Sequence, residues 1–218
     1  MKKARLWAIV AGIALFLAMG VSARADSDSF TINVPNSGLS GTPGPYATVN
    51  LNLNGGAIDV TVTMLSTFSM FGHGEGGGAF GFNVDGAGLP TGFAVSTPVA
   101  NGGYSGDALS VDLGGGNMDG FGDFDVVIQD GTPKQGLTSM TFTVTRDGGF
   151  STVQDLVDAS CGGEFCGAHF VVHVSPGAGI PTGFAGDSGT PVPEPATLTL
   201  LGTGLLGLAG VIRRRLSR

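Results

Sequence analysis

Positive charge is nearly missing from the body of this 218-residue chain. Eight of its 10 Lys and Arg lie in the first 24 or last six residues, so only Lys134 and Arg146 remain between residues 26 and 190. Against the 16 Asp and Glu of the same stretch they leave a net charge of about −14. Such a surface repels phosphate backbones, which argues against nucleic acid as a partner and leaves divalent cations and neutral polymers. Solubility alone also accounts for the acidity. Aromatic platforms are few: the one Trp is Trp7, and the two tyrosines are Tyr46 and Tyr104, which weakens a reading as an aromatic-stacking glycan binder. Only two cysteines occur, enough for one disulfide. Good helix formers are scarce while Gly fills 40 positions, which argues against long helices in the body.

The chain opens on an export signal. Lys2, Lys3 and Arg5 form a positive start, Leu6 to Val21 is apolar, and Ala23-Arg24-Ala25 is a small-x-small cleavage site after Ala25. Residues 1–25 are thus assigned to a signal peptide and 26–186 to one glycine-rich acidic domain.

Within that domain Thr, Val, Phe and Asn alternate between glycine-rich turns, the pattern of half-buried strands. In residues 48–64, Val49, Leu51 and Leu53 share one face with three asparagines opposite. Asn54-Gly55 marks the expected turn, and Ile58, Val60, Val62 and Met64 face inward on the return strand, with Asp59, Thr61 and Thr63 outward. Residues 122–130 and 139–146 alternate likewise, 109–113 reads as another strand, and 153–159 as a short helix or irregular turn. An internal repeat aligns residues 74–94 with 163–185, both ending in GAG-x-PTGFA, and more weakly VTVT at 60–63 with FTVT at 142–145. It predicts two equivalent strands, Phe80–Val84 and Phe170–Val174. The expected fold is all-β, an antiparallel, jelly-roll-like β-sandwich with internal duplication.

Several clusters invite a chemical reading. Cys161 and Cys166 suggest a disulfide in an oxidising compartment, a local staple of about 2 kcal/mol rather than a redox-active C-x-x-C pair. His169 and His173 share a strand face but sit four residues apart, about 13 Å at ~3.3 Å per residue, too far to share zinc. His73 is a distant third. Asn117, Asp119, Asp123 and Asp125 offer hard oxygens on a glycine-containing loop, which suits Ca²⁺; the spacing departs from an EF-hand, and turn chemistry is the favoured use. Glu75 and Glu164, the only glutamates in residues 26–190, occupy matching repeat positions. They suit acceptance of backbone N–H bonds in two loops better than an acid/base pair for glycoside hydrolysis. GDSGTP at 186–191 resembles the nucleophile segment of trypsin-like serine proteases, yet no barrel follows it and no histidine context supports a triad, so the stretch reads as linker. No glycine run ends in the Lys-Ser/Thr of a phosphate loop. No cofactor is expected, calcium being the one alternative.

The most specific segment is the end. Residues 187–195 are a linker closing on Pro193-Glu194-Pro195, residues 196–212 carry no charge, and 213–218 form a basic tail led by Arg213, Arg214 and Arg215. As a helix the uncharged stretch is about 26 Å long, enough for a thin hydrocarbon core, with the arginines held on the cytoplasmic side. Motif, span and basic end, in that order, resemble the sorting tail of PEP-CTERM proteins, exported Gram-negative bacterial proteins handled by an exosortase in the inner membrane. Glycine-rich segments of the body, DGFGDF and AHFVVHV, also resemble members of that group. The resemblance implies that Pro193, Glu194 and Pro195 mark the recognition site, and that the helix and arginines are a temporary handle. It further implies a cell-surface or extracellular-matrix destination and an association with exopolysaccharide. The resulting expectation is a non-catalytic matrix protein, with a calcium- or glycan-binding sandwich module as the alternative.

Overall fold

The computed structural model describes residues 27–188 apart from 66, 72–77, 87, 102–103, 105–107, 131–135, 162–163 and 178. The signal segment with Ala25, the Pro193-Glu194-Pro195 motif, the 196–212 span, Arg213 to Arg215, Glu75 and His73 lie outside the described residues. Among the described residues the chain runs through β1 (Ser27–Pro35), β2 (Ala47–Asn54), β3 (Ala57–Met64), β4 (Ser69–Met70), β5 (Phe80–Phe82), β6 (Ala94–Val95), β7 (Val99–Asn101) and β8 (Leu109–Asp112). It continues through β9 (Gly116–Met118), β10 (Gly122–Phe124), β11 (Val126–Asp130), β12 (Ser139–Thr145), β13 (Ser160–Cys161), β14 (Cys166–Ala168), β15 (Phe170–Ser175) and β16 (Gly183–Asp187). Two 3-10 turns, Ser37–Leu39 and Val153–Leu156, are the only helical pieces among them.

Twelve strands form one antiparallel sheet in the order β6-β12-β3-β2-β1-β16-β15-β5-β11-β8, with β4 on β15 and β7 on β12. The expected sandwich is therefore corrected to a single sheet that curls almost into a barrel. Strands far apart in the order meet across the interior: the Phe142 ring of β12 lies 5.7 Å from Phe82 and 6.1 Å from Phe80 of β5. Strand alternation looks the same in both architectures. What separates them is the accumulated twist that brings distant edges together.

The alternation fixes which side is inside. Val49, Leu51, Ile58, Val60, Val62 and Met64 are buried in the main core, while Asn50, Asn52 and Asn54 are exposed. Asp59, Thr61 and Thr63, expected in water, are half-buried because β12 and the β6–β7 edge run beside them. The hairpin turn sits one residue later than Asn54-Gly55. Asn54 pairs with Ala57, so Gly55 (φ 59°) and Gly56 (φ 88°) are its two central residues, both left-handed as a two-residue primed turn requires. The 153–159 segment holds the second 3-10 turn, which buries Val153 and Leu156 in the core.

The repeat has a structural counterpart. In the β5–β15 ladder Phe80 pairs with Val172, Gly81 with Val171 and Phe82 with Phe170. Exchanging each residue for its repeat mate reproduces the same pairs, so the ladder has a local two-fold about Gly81 and Val171. The β3–β12 ladder behaves alike: it is centred on Val60 and Phe142, and Asp59–Thr143 mirrors Thr61–Thr141. The two expected equivalent strands are thus hydrogen-bonded neighbours, and each duplicated element pairs with its own copy. The symmetry stops at the PTGF segments. In the second copy β16 folds back on β15, whereas β6 in the first copy crosses to β12.

Candidate functional site: an outer layer on the curled sheet

Strands β15 and β16 are buried on both faces. Their inner residues join the main core, and a second core lies outside: Met118, Phe121, Phe124, Val127, Ala168, Val171 and Phe184. Two small hairpins, β9–β10 and β13–β14, form this outer layer. The structure thereby brings together two stretches that the sequence flags separately, the Asp-rich 117–125 and the cysteine pair. Ser160 Oγ donates to the carbonyls of Phe121 (2.8 Å) and Asp123 (3.0 Å), the Phe165 amide donates to Gly120 O (2.8 Å), and Phe165 stacks on Phe121 at 5.0 Å. Close approach is needed beneath. A Cβ on Gly186 of β16 would lie 2.6 Å from Phe121 Cε1 and 3.0 Å from the Ala168 Cβ.

The four proposed calcium ligands are put to other uses. Asn117 Nδ2 donates to Asp123 Oδ1 (3.0 Å) across the β9–β10 hairpin, where the two residues pair directly. Asp119 receives Asn36 Nδ2 at its backbone carbonyl (3.2 Å) and at Oδ2 (3.3 Å). Asp125 Oδ2 accepts the Val84 amide (3.2 Å), while its own amide donates to Asn83 Oδ1 (2.8 Å). Among the described residues no group of three or more His, Cys, Asp or Glu side chains is placed to hold a metal ion. Turn and strand bonding absorbs these oxygens because each faces a backbone or amide donor that a cation would have to displace. Asp123 and Asp125 do line an open cleft of about 510 Å³ with Leu89 and Leu113.

Cys161 and Cys166 form the expected disulfide, with Cα atoms 4.4 Å apart, across the β13–β14 hairpin. Both cysteines and Glu164 are exposed. The staple closes a hairpin that has no wide sheet of its own.

The histidines separate as their spacing requires. His169 Nδ1 lies 2.9 Å from Asp187 Oδ2, and Asp187 Oδ1 accepts the backbone amides of His169 (2.7 Å) and Phe170 (2.9 Å). Strand β16 therefore runs through Asp187, which composition places in the linker, and the base–orienter contact absent from the sequence reading exists here as a clamp on the start of β15. His173 is buried between Phe184, stacked at 4.2 Å, and the edge of Phe71 at 5.2 Å. Its Nε2 lies 3.1 Å from Thr182 Oγ1, and among the described residues Nδ1 has no partner. Desolvation pushes its pKa down to about 4, so it is neutral at pH 7.

Asn36 escaped the sequence reading. Buried at the end of β1, it accepts the amides of Gly38 (3.1 Å) and Phe184 (3.0 Å) on Oδ1 while donating to Asp119. All four hydrogen-bonding sites of one amide thus tie β1, β16 and the outer layer together. An Asn before Ser37-Gly38-Leu39 is a capping signal, and it pointed to the turn but not to the partners 83 and 148 residues away.

Comparison with known proteins adds one finding. Residues 191–215 match the family model described as the PEP-CTERM protein-sorting motif. No curated protein and no solved structure matches the chain. Among the described residues no helix is long and apolar enough to cross a membrane, and the matched segment begins just beyond them. The motif implies export, a membrane-anchored stage before cleavage, and processing by an exosortase in the membrane. The sorting motif at its end, rather than anything in the curled sheet, is what supports assigning this chain to the PEP-CTERM proteins.

Proposed function

We propose that the chain is a non-catalytic surface or extracellular-matrix protein of a Gram-negative bacterium. In this reading an exosortase removes the tail near Pro193-Glu194-Pro195, and the curled-sheet domain is released to associate with exopolysaccharide. The observation that carries it is the sorting motif at 191–215, three residues beyond the last described residue of the domain. The non-catalytic part is supported by how the polar groups of the outer layer are used: Asn36, Asp119, Asp125 and Asp187 each bond to backbone amides or to one another.

The test is the intact mass of the protein isolated from its host, with the culture fractionated into membrane, surface polysaccharide and medium. A product starting near Asp26, ending near Pro193 and recovered with the polysaccharide is expected. A chain running to Arg218 and confined to the membrane would replace the sorting reading with a single-pass anchor.

A further inference from the structure

The outward face of β1, β2, β3 and β12 is made of small hydroxyl and amide residues: its three rows hold nine Ser or Thr, two Asn and one Asp. Register aligns Ser29, Asn50, Thr61 and Thr141 in one row across the four strands. The parallel row on one side is four hydroxyl residues, Thr31 through Ser139, and the row on the other side holds the only charge, Asp59. A surface built for solubility carries Lys, Arg, Glu and Asp at about a quarter to a third of its positions. Here one of twelve is charged, in a body whose net charge is about −14. That one carboxylate is already occupied: Asp59 accepts Thr143 Oγ1 (2.8 Å) and Asn54 Nδ2 (3.3 Å). Among the described residues Asn50, Asn52, Thr61 and Thr141 make no side-chain hydrogen bond within the chain, and both asparagines are exposed.

The edge of this face is walled. Between β6 and β7 the chain leaves β12 over Ser96 to Pro98, and Ser96 Oγ accepts the Thr143 amide (2.9 Å). A groove of about 310 Å³ results, lined by Asp59, Thr61, Ser96, Val99, Thr141 and Thr143. Hydroxyls and amides both donate and accept, so the array suits a ligand that does the same and carries no charge. Strands lie about 4.8 Å apart, close to the advance of one pyranose unit in an extended β-linked chain. A glycan laid across the strands thus meets one side chain per sugar, for about three or four sugars.

We infer that the β1-β2-β3-β12 face is a binding surface for a neutral, extended β-linked polysaccharide, running along the Ser29–Asn50–Thr61–Thr141 row into the β6–β7 groove. Sugar hydroxyls replace the water on uncommitted side chains, and with one carboxylate on the face, already bonded to Thr143 and Asn54, the desolvation cost is below that of a Lys- or Glu-covered face. Recognition here needs no aromatic platform, which fits a body without Trp. The inference rests on the matrix-associated reading above and names the surface that performs the association.

The test uses the processed protein from its host and two probes, microcrystalline cellulose in a pull-down and soluble mixed-linkage β-glucan in affinity electrophoresis. The unmodified protein is expected to bind both, the triple variant Asn50→Ala, Thr61→Ala, Thr141→Ala to bind about tenfold or more weakly, and a control, Ser110→Ala with Gln129→Ala, to bind normally. Circular dichroism checks that the triple variant is folded; if it is not, the exposed single change Asn50→Ala, expected to weaken binding several-fold, carries the comparison. Equal binding by unmodified protein and variants overturns this surface while the matrix association stands. No binding to either probe, in a protein that still co-fractionates with matrix polysaccharide, overturns the ligand class alone. A dimer that dissociates in the triple variant assigns the face to a second copy and overturns the inference.

Discussion

His173 makes acid stability a quantitative test of the outer core. Burial between Phe71 and Phe184 pushes its pKa down to about 4 in the folded protein, against 6.5 for a free imidazole, and among the described residues Thr182 Oγ1 alone bonds to the ring. A lowered folded-state pKa means that the unfolded chain binds the proton first as pH falls. The stabilising effect of the neutral ring is therefore complete above pH 6.5, declines through the window between 6.5 and 4, and levels off below. The fall from 6.5 to about 4 corresponds to about 3 kcal/mol lost by pH 4, of which about 2 kcal/mol is lost by pH 5. The comparison is the protein and its His173→Phe variant, each unfolded with urea at pH 7, 6, 5 and 4.5 and followed by far-UV circular dichroism. Protonation of the many aspartates affects both proteins alike, so the difference between them isolates the histidine. The variant should gain on the unmodified protein by about 2 kcal/mol between pH 7 and pH 5. A difference that stays constant across the series would show that the ring is not desolvated as described.

The remaining predictions address the joints of the outer layer. Asn36→Ala removes the acceptor for the buried Phe184 amide and the donor to Asp119, and should cost about 2–4 kcal/mol with an unchanged urea m-value. A cost below about 0.5 kcal/mol would mean that water replaces the side chain there. Reducing Cys161–Cys166, or replacing both with Ser, should cost at most about 2 kcal/mol. Faster amide exchange should then be confined to β13–β14 and β9–β10, and equal acceleration in β2, β3 and β12 would refute the separation of the layer from the curled sheet.

Much of the inner sheet was legible because period-2 alternation is a local signal. Val49, Leu51, Ile58, Val60, Val62 and Met64 went where their pattern sends them, and the repeat named the two strands that prove to be mates. The curl was not legible, since alternation is indifferent to whether a face closes on itself or on a second sheet. Nor was the outer layer. Val171, His173 and Ser175 lie on what alternation would leave as the wet face of β15, and they are buried, as are Val127 and Phe124. The same long-range packing explains why spacing alone left calcium open as an alternative to turn chemistry for Asn117, Asp119, Asp123 and Asp125. Their donors, on Asn36, Val84 and across the hairpin, are set by topology and not by spacing along the chain. Asp187 lay in a stretch whose Gly, Ser and Thr neighbours resemble linker, and only the β1–β16 register, in which it pairs with Ile32, shows that it closes a strand.

The two copies differ most where the layer attaches, and this locates the asymmetry of the molecule. Val171 and Gly81 are mates on the local two-fold, yet Val171 packs into the outer core, while a Cβ on Gly81 would lie 3.1 Å from Met118 Cγ and 3.2 Å from Phe124 Cγ. The hairpin leans over both, on a side chain in one copy and on bare backbone in the other, where a Cβ would require Met118 and Phe124 to shift by a few tenths of an ångström. The second copy also carries the inserted His169, which Asp187 clamps, and Cys166 where the first has Gly77. The opposite flank is untouched by these changes. There β3 and β12 keep their symmetric register, and Ser27, Asn50 and Asn52 of the polar rows along β1 and β2 are exposed. A duplicated shell has thus been made one-sided, with one flank closed by a stapled layer and the other left open for a ligand.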